Sequence, residues 1–200
     1  MLRETFIGRV PSHFNLNRVV EAFIVSETFF WAAWNFITPI FAIFVINNIK
    51  GGNIAVAASA FSFYLITRVI FEVIAGKYST GKSDFHKLWM TISGMILLTF
   101  AYVGFAFSHS ILQLFFFYVV TGIAIGVATP AKNSLFSTHL DHNKESAEWG
   151  FYDAVTLSGI ALATALGGFI ASAYGFQPLF LLAALINILG IIPYIIYIKA

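Results

Sequence analysis

Five ionisable side chains lie inside stretches of the chain that are otherwise apolar: Glu27, Arg68, Glu72, Lys132 and Asp153. Such groups are costly in lipid, and they usually face a bundle interior or a cavity, where they pair with one another. Arg68 and Glu72 are four residues apart, so they share a helix face and can form an ion pair. Glu27 needs a cation from a neighbouring helix, and Lys132 is the candidate. The alternative is a structural role, with snorkelling open to Lys132 and Asp153 near their helix ends.

Residues suited to enzyme chemistry are sparse. The run His139-Leu140-Asp141-His142, with Glu145, has a faint metal-ligand spacing, but no second cluster completes a site and a solvated loop is favoured. The chain has no cysteine, which excludes thiol catalysis and thiolate metal sites. No phosphate-binding loop, dinucleotide fingerprint, nucleophile elbow or zinc-protease helix is present. We therefore expect no enzyme activity, no cofactor and no metal.

The elements that must position the charged residues are membrane-spanning helices. Hydrophobic residues make up 59% of the 200 residues and charged residues only 10%, against about a quarter in soluble domains. A helix needs about 20 mainly apolar residues to cross the hydrocarbon layer. Six segments qualify, and a polar N-terminal segment (1–18) precedes the six-helix transmembrane domain (19–200). The predicted spans are 19–46, 54–76, 88–107, 111–134, 151–174 and 178–198.

The distribution of basic residues predicts the orientation of these spans. Lys and Arg collect in cytoplasmic loops. With a cytoplasmic N-terminus, the outer loops hold only Lys50. The inner segments then hold all the other basic residues outside the spans: Arg3, Arg9, Arg18, Lys77, Lys82, Lys87, Lys144 and Lys199. We therefore predict a multi-pass protein of the plasma membrane with both termini in the cytoplasm, surrounded by lipid. The formal charge of +2 gives no reason to expect a nucleic-acid partner.

Two Thr-Pro motifs at matching positions of oppositely directed spans suggest an internal repeat, and coincidence is the alternative because Thr-Pro is a common pair. Ile37-Thr38-Pro39 lies late in the first span, and Ala128-Thr129-Pro130 lies at a similar depth in the fourth. Inverted repeats with Pro- or Gly-interrupted helices are typical of secondary transporters. Close helix packing is predicted by Gly122-x-x-x-Gly126 in the fourth span and by the glycines of the fifth. The fifth-span glycines are Gly159, Gly167 and Gly168.

These motifs resemble half of a major facilitator superfamily transporter. The likeness is strongest from Leu157 through Gly167-Gly168 to Tyr174-Gly175-Phe176, and in the fourth span at Gly122 to Pro130. The resemblance implies an all-α fold: a six-helix bundle built as a 3+3 inverted repeat. It also implies secondary, alternating-access transport of a small solute whose identity stays open. Since the family normally has twelve helices, a six-helix chain is expected to form a homodimer or to pair with a second six-helix half.

The sequence also departs from the family pattern. The signature loop after the second span places an aspartate four residues after its glycine, whereas this chain has Thr80 there. The fourth-helix arginine of many proton-coupled members would fall at Tyr118, and the fifth-helix proline of antiporters would fall at Thr164. These departures argue against proton antiport. They also leave a second hypothesis open, a non-transporting membrane scaffold or assembly partner that kept the fold.

The resemblance assigns roles to particular side chains. The first and fourth helices line the central cavity in this family, which makes Trp34, Asn35, Thr129 and Asn133 candidate cavity residues. Aromatic walls with a few polar groups suit a small-molecule pocket. Packing or lipid contact is the alternative for the aromatic residues. The five ionisable residues named first are candidates for a charge network that holds the cytoplasmic ends together and separates during transport.

Overall fold

The computed structural model describes residues 16–199, and the side chains of 197–199 lie outside the description. In this part of the chain, six helical spans are long and apolar enough to cross a membrane. Their bounds are Arg18–Asn48, Ile54–Ser79, Asp84–Ala106, Ile111–His139, Glu145–Tyr174 and Phe176–Ile196. Arg3, Arg9 and all but the end of the predicted 1–18 segment fall outside the described residues, as does the side chain of Lys199.

Polar side chains and glycines mark the turns between the spans. Asn17, Asn53 and Ser110 cap the first, second and fourth spans, each accepting a hydrogen bond from a backbone N–H in the first turn. Gly175, between the fifth and sixth spans, has φ +85°, a conformation that glycine adopts without steric cost. These caps satisfy backbone groups that the helix itself leaves without partners.

Two spans are interrupted. The first consists of helix α1 (Arg18–Ile37), a 3₁₀ turn (Thr38–Ile40) and helix α2 (Phe41–Asn48). Pro39 cannot donate the intrahelical hydrogen bond, which accounts for the change of geometry there. The sixth span is divided at Gly190 into two helices, Phe176–Leu189 and Ile191–Lys199. In the fourth span, by contrast, the helix continues through Pro130.

The helices extend further at one end of the bundle than hydropathy predicts. The predicted loops 77–87 and 139–148 shrink to 80–83 and 140–144, because the second to fifth spans continue into polar sequence. Hydropathy locates the part of a helix that lipid covers, while a helix outside lipid depends on propensity and capping. The polar extensions Lys77–Ser79 and Asp84–Lys87 are therefore helical although they are not apolar.

The packing pattern agrees with the inverted repeat. The fourth span packs against the second and third, and the first span packs against the fifth and sixth. The third and sixth spans also contact each other. Exchanging spans one to three with spans four to six leaves this set of contacts unchanged. The observed all-α bundle is therefore the fold that the sequence predicted.

Glycines set the closest helix approaches. A Cβ atom on Gly122 would lie 2.7 Å from the carbonyl oxygen of Tyr64, and one on Gly126 would lie 2.8 Å from that of Arg68. Only glycine therefore lets the second and fourth spans approach this closely. Gly159 and Gly167 bring the fifth span against the first in the same way. Gly168 has no neighbour within 4 Å of a Cβ position, so its predicted packing role is wrong.

Each end of the bundle is tied by hydrogen bonds. At one end, the backbone N–H of Lys50 donates to the carbonyl of His109 at 2.9 Å, joining two turns. At the other end, the Asn17 side chain donates to the His139 carbonyl at 2.9 Å and to Asp141 at 3.0 Å. The structure thus places the Lys50 turn at the opposite end from the 80–83 and 140–144 loops, as the charge distribution predicts.

Candidate functional site

A buried ion pair between the first and fourth spans forms the centre of the candidate site. Lys132 Nζ lies 2.5 Å from Glu27 Oε2, and both side chains are at most 2% exposed. The predicted partner of Glu27 is therefore the observed one. A buried charge without a partner is strongly destabilising, which explains why the two side chains meet across the helix interface.

The same carboxylate joins four of the six described spans. Trp31 Nε1 donates to Glu27 Oε2 at 3.1 Å. The hydroxyl groups of Tyr152, on the fifth span, and Tyr194, on the sixth, donate to the carboxylate at 3.4 Å. Lys132 Nζ also lies 4.0 Å from the centre of the Phe30 ring, a cation–π geometry. The pair is therefore held by polar and aromatic groups of the first, fifth and sixth spans.

A second ion pair lies on the second span. Arg68 Nε is 3.2 Å from Glu72 Oε2, as the four-residue spacing predicts, and Arg68 Nη1 donates to the Tyr64 hydroxyl at 3.1 Å. The side chains of Arg68 and Glu72 are 25% and 36% exposed. Lys132 is near enough for its charge to interact with both. Two opposite-charge pairs thus lie side by side, one sealed in the bundle and one at its surface.

An aromatic groove lies between the first and second spans, beyond Tyr64. It has about 730 Å³ of open space and is lined by Trp34, Thr38, Phe41, Ala42, Ile54, Ala57, Ala58, Phe61 and Tyr118. The ring of Trp34 lies 5.1 Å from that of Tyr64, which binds Arg68. Tyr64 therefore contacts both a wall of the groove and the surface ion pair. Apolar walls with a polar group at one end are a common form of small-molecule site.

The other predicted cavity residues lie elsewhere, and none of them lines the groove. Asn35 donates to the carbonyl of Trp31, and Thr129 donates to that of Ile125, so both polar groups bond within their own helices. Asn133 is exposed on the fourth span and Asp153 on the fifth. Asp153 therefore stands apart from the two ion pairs. The roles predicted for these residues, in a cavity or a charge network, depend on a pathway assembled with a second unit and stay predictions.

Sequence reasoning missed the tyrosines. Tyr64, Tyr152 and Tyr194 supply hydroxyl groups to the two ion pairs, and Tyr118 lines the groove. A signal did exist, because a tyrosine deep in an apolar helix usually finds a partner for its hydroxyl. For Tyr64 the partner, Arg68, is four residues along the same helix, so spacing could have identified it. For Tyr152 and Tyr194 the partner, Glu27, is on another helix, and helix spacing does not reveal it.

The segment from His139 to Glu145, whose spacing faintly resembles that of metal ligands, holds no metal site. Among residues 16–199, no group of three or more His, Asp, Glu or Cys side chains could hold a metal ion. His142 Nδ1 instead lies 3.8 Å from Glu145 Oε1. Asp141 accepts hydrogen bonds from Asn17 and from Lys144, and these two groups, Asn17 first, hold its pKa below the ordinary value. The loop therefore serves to tie helix ends together.

Six apolar spans in two inverted units, with buried charges at their centre, define a membrane protein of the transporter type. Residues 23–200 match the sequence profile of the Major Facilitator Superfamily. The chain therefore belongs to this superfamily, whose members are transporters and not enzymes. Membership of this family also confirms the prediction that the chain is a multi-pass membrane protein.

Individual relatives agree with this family. The chain is 32% identical over 113 residues to the "Bacillibactin exporter" of Bacillus subtilis, an alignment covering 56% of this chain and 26% of the relative. It is 27% identical over 175 residues to the "Multi-drug resistance efflux pump PmrA" of Streptococcus pneumoniae, covering 84% and 42%. The crystal structure of the transporter PepTSo superimposes with a TM-score of 0.75 at 14% identity, over 93% of this chain and 38% of that one. The chain thus spans less than half the length of each.

Proposed function

We propose that this chain is one six-helix unit of a secondary transporter that moves a small organic solute by alternating access. The observation that carries the proposal is the partly exposed Arg68–Glu72 pair, which lies between a sealed ion pair and an aromatic groove open to the surface. A charge pair left partly open inside a membrane domain usually marks a pathway. In this mechanism the unit rocks against a second unit around a site near the midplane.

The second unit supplies the wall that this chain lacks. The second and fifth spans are the least buried of the described helices, and they carry Arg68, Glu72 and Asp153. We propose that this surface meets either a second copy of the chain or another six-helix half. Trp34, Asn35, Thr129 and Asn133 would then be lining residues of the pathway between the units. Both termini would lie in the cytoplasm, because the basic loops share one end of the bundle.

The charge network would act as the gate. Glu27 and Lys132 connect helices within this unit, whereas Arg68 and Glu72 can exchange partners with charges on the second unit. Such an exchange stabilises two arrangements of the same helices, which is the property that alternating access needs. Asp153 offers the second unit an exposed carboxylate of the same kind.

The solute class follows from the groove and the relatives together. Trp34, Phe41, Phe61 and Tyr118 offer flat apolar surfaces, which favour a solute with an aromatic or other apolar part. The relatives named as exporters and efflux pumps support outward movement of such a molecule. We propose that a solute or ion gradient drives transport, because substrate and coupling-ion sites at the interface of repeats are typical of secondary transporters.

The test is flux into proteoliposomes, using a panel of fluorescent aromatic molecules of positive, neutral and negative charge. We expect Arg68→Gln and Glu72→Gln each to lower flux at least tenfold, and the exchange of the two (Arg68→Glu with Glu72→Arg) to recover part of it. Lys50→Gln is the matched control, since it removes a charge at the opposite end of the bundle. Unchanged flux in both single variants would remove the gate from the proposal.

A non-transporting scaffold is the second candidate, and Thr80 favours it. Thr80 has no charge at the position where the family has an aspartate, and its hydroxyl donates a hydrogen bond to the carbonyl of Gly76 in its own helix. A scaffold would still bind its second unit. Crosslinks between units without flux of any panel compound would support the scaffold and contradict transport.

A further inference from the structure

A second groove runs along the third span, away from the ion pairs. Its wide end has about 760 Å³ of open space and is lined by Tyr78, Phe85, His86, Trp89, Met90 and Ser93. A narrower section of about 700 Å³ continues from Ser93 along Gly94, Ile96, Leu97, Phe100 and Val127. Because Ser93 belongs to both sections, they form one continuous trough.

The wide end combines aromatic rings with positive charge. Tyr78, Phe85 and Trp89 are each about half exposed, and Lys82 Nζ lies 5.1 Å from the centre of the Tyr78 ring. Segment 77–87 carries three lysines and one aspartate. That aspartate, Asp84, contacts Lys87 and His139, so Lys82 keeps its charge available at the mouth of the groove. Aromatic side chains of this kind settle at the level of lipid headgroups.

The narrow section, together with the aromatic end, is about as long as one leaflet of the hydrocarbon core. From Trp89 to Phe100 the third span rises by about 17 Å, at about 1.5 Å per residue. One leaflet of the hydrocarbon core is about 15 Å thick. The section is lined almost wholly by apolar atoms of Ile96, Leu97 and Phe100. An acyl chain that starts at the aromatic end would therefore reach the bilayer midplane within the groove.

We infer that this groove, which we call the third-span groove, binds one phospholipid with an anionic headgroup. Lys82 faces the headgroup phosphate, the aromatic rings surround the glycerol region, and one acyl chain lies along the narrow section. Charge complementarity selects the lipid, because lysines near a membrane surface favour anionic over zwitterionic headgroups. The groove is separate from the proposed transport pathway, so the inference stands whether or not the chain transports.

The experiment is native mass spectrometry of the full chain released from nanodiscs that hold equal amounts of phosphatidylglycerol and phosphatidylcholine. We expect one retained phosphatidylglycerol, with little retained phosphatidylcholine. Lys82→Gln should lower phosphatidylglycerol retention about fivefold, the effect of one lysine at an anionic surface. Lys50→Gln is the matched control at the other end of the bundle and should retain as much lipid as the parent chain.

A second variant tests the acyl section without changing charge. Ser93→Phe fills the junction of the two sections and should lower retention of the lipid, while gel filtration checks that the variant stays folded. Equal retention of both lipids, or equal losses in Lys82→Gln and Lys50→Gln, would overturn the inference. Complete displacement of the lipid by soluble glycerol phosphate would also overturn it, because the acyl chain would then contribute nothing.

Discussion

Removing one member of the Glu27–Lys132 pair should cost more than removing both. Each side chain is buried, and the charge left behind in a single variant has no ion-pair partner of its own. Breaking a buried pair in this way typically costs 3–5 kcal/mol. Replacing both members by apolar residues of similar size is often neutral or stabilising. Glu27→Met and Lys132→Met are therefore the informative variants.

The neighbours of each charge decide where in that range each variant falls. Without Lys132, Glu27 keeps three hydrogen-bond donors, Trp31, Tyr152 and Tyr194. Without Glu27, the charge of Lys132 keeps the ring faces of Phe30 and Trp31, which are worth about 2 kcal/mol at a desolvated site. The charges of Arg68 and Glu72 also act on Lys132, with opposite signs that offset each other. We therefore expect about 3 kcal/mol for Lys132→Met and about 5 kcal/mol for Glu27→Met.

The assay is the free energy of unfolding, measured by SDS titration in mixed micelles for the two single variants and the double variant. We expect the double variant to lie within about 2 kcal/mol of the parent chain, since it leaves no unpaired buried charge. Independent effects would instead cost the double variant about 8 kcal/mol, which is the sum of the single costs. Additive costs, or single costs below about 1 kcal/mol, would refute the reasoning.

Three further predictions follow from the packing and the loops. Gly126→Ala should destabilise the bundle by about 1–3 kcal/mol, because its Cβ would meet the second-span backbone. Gly168→Ala should instead be neutral or stabilising by up to about 1 kcal/mol. The same SDS titration measures both variants, and equal effects on the free energy of unfolding would contradict the observed packing. Asn187→Ala should cost about 1 kcal/mol, since Asn187 donates to the third span at 2.7 and 2.8 Å; an unchanged unfolding midpoint would count against that link. The pKa of Asp141 in the folded protein lies below the ordinary 3.8, so the stabilising contribution of its carboxylate is complete above pH 3.8 and is lost as the pH falls through the folded-state pKa. Asn17→Ala should raise this pKa, which an NMR titration of the carboxyl carbon measures. An unchanged pKa would exclude the Asn17 hydrogen bond as the main cause of the lowered value.

The sequence predicts the spans well and their ends poorly, for a physical reason. Long apolar runs determine which segments lie in lipid, but the second and fifth spans continue as helix beyond their apolar runs, at residues 77–79 and 145–150. Their ends depend on local capping and on contacts between loops. The break at Gly190 was missed because a glycine followed by apolar residues does not interrupt the hydropathy pattern.

The charged part of the site was more predictable than its polar surroundings. A carboxylate in lipid requires a cation, and few cations were available, so Glu27 pointed to Lys132. The hydroxyl of Thr129 could either face a cavity or donate a hydrogen bond to the carbonyl of Ile125, and in the structure it donates to the carbonyl. Such choices depend on geometry of about one ångström, which residue type and spacing do not encode.

The hydrogen bond from Lys50 to His109 limits how the bundle can bend. It fastens the loop between the first and second spans to the loop between the third and fourth, so four helix ends must tilt together. The first span has weakened α-helical bonding at Thr38–Ile40, and the eight-residue helix α2 separates this turn from the Lys50 hydrogen bond. Flexing of the first span would therefore concentrate at that 3₁₀ turn, beside the aromatic groove, and would leave the fastened loops intact.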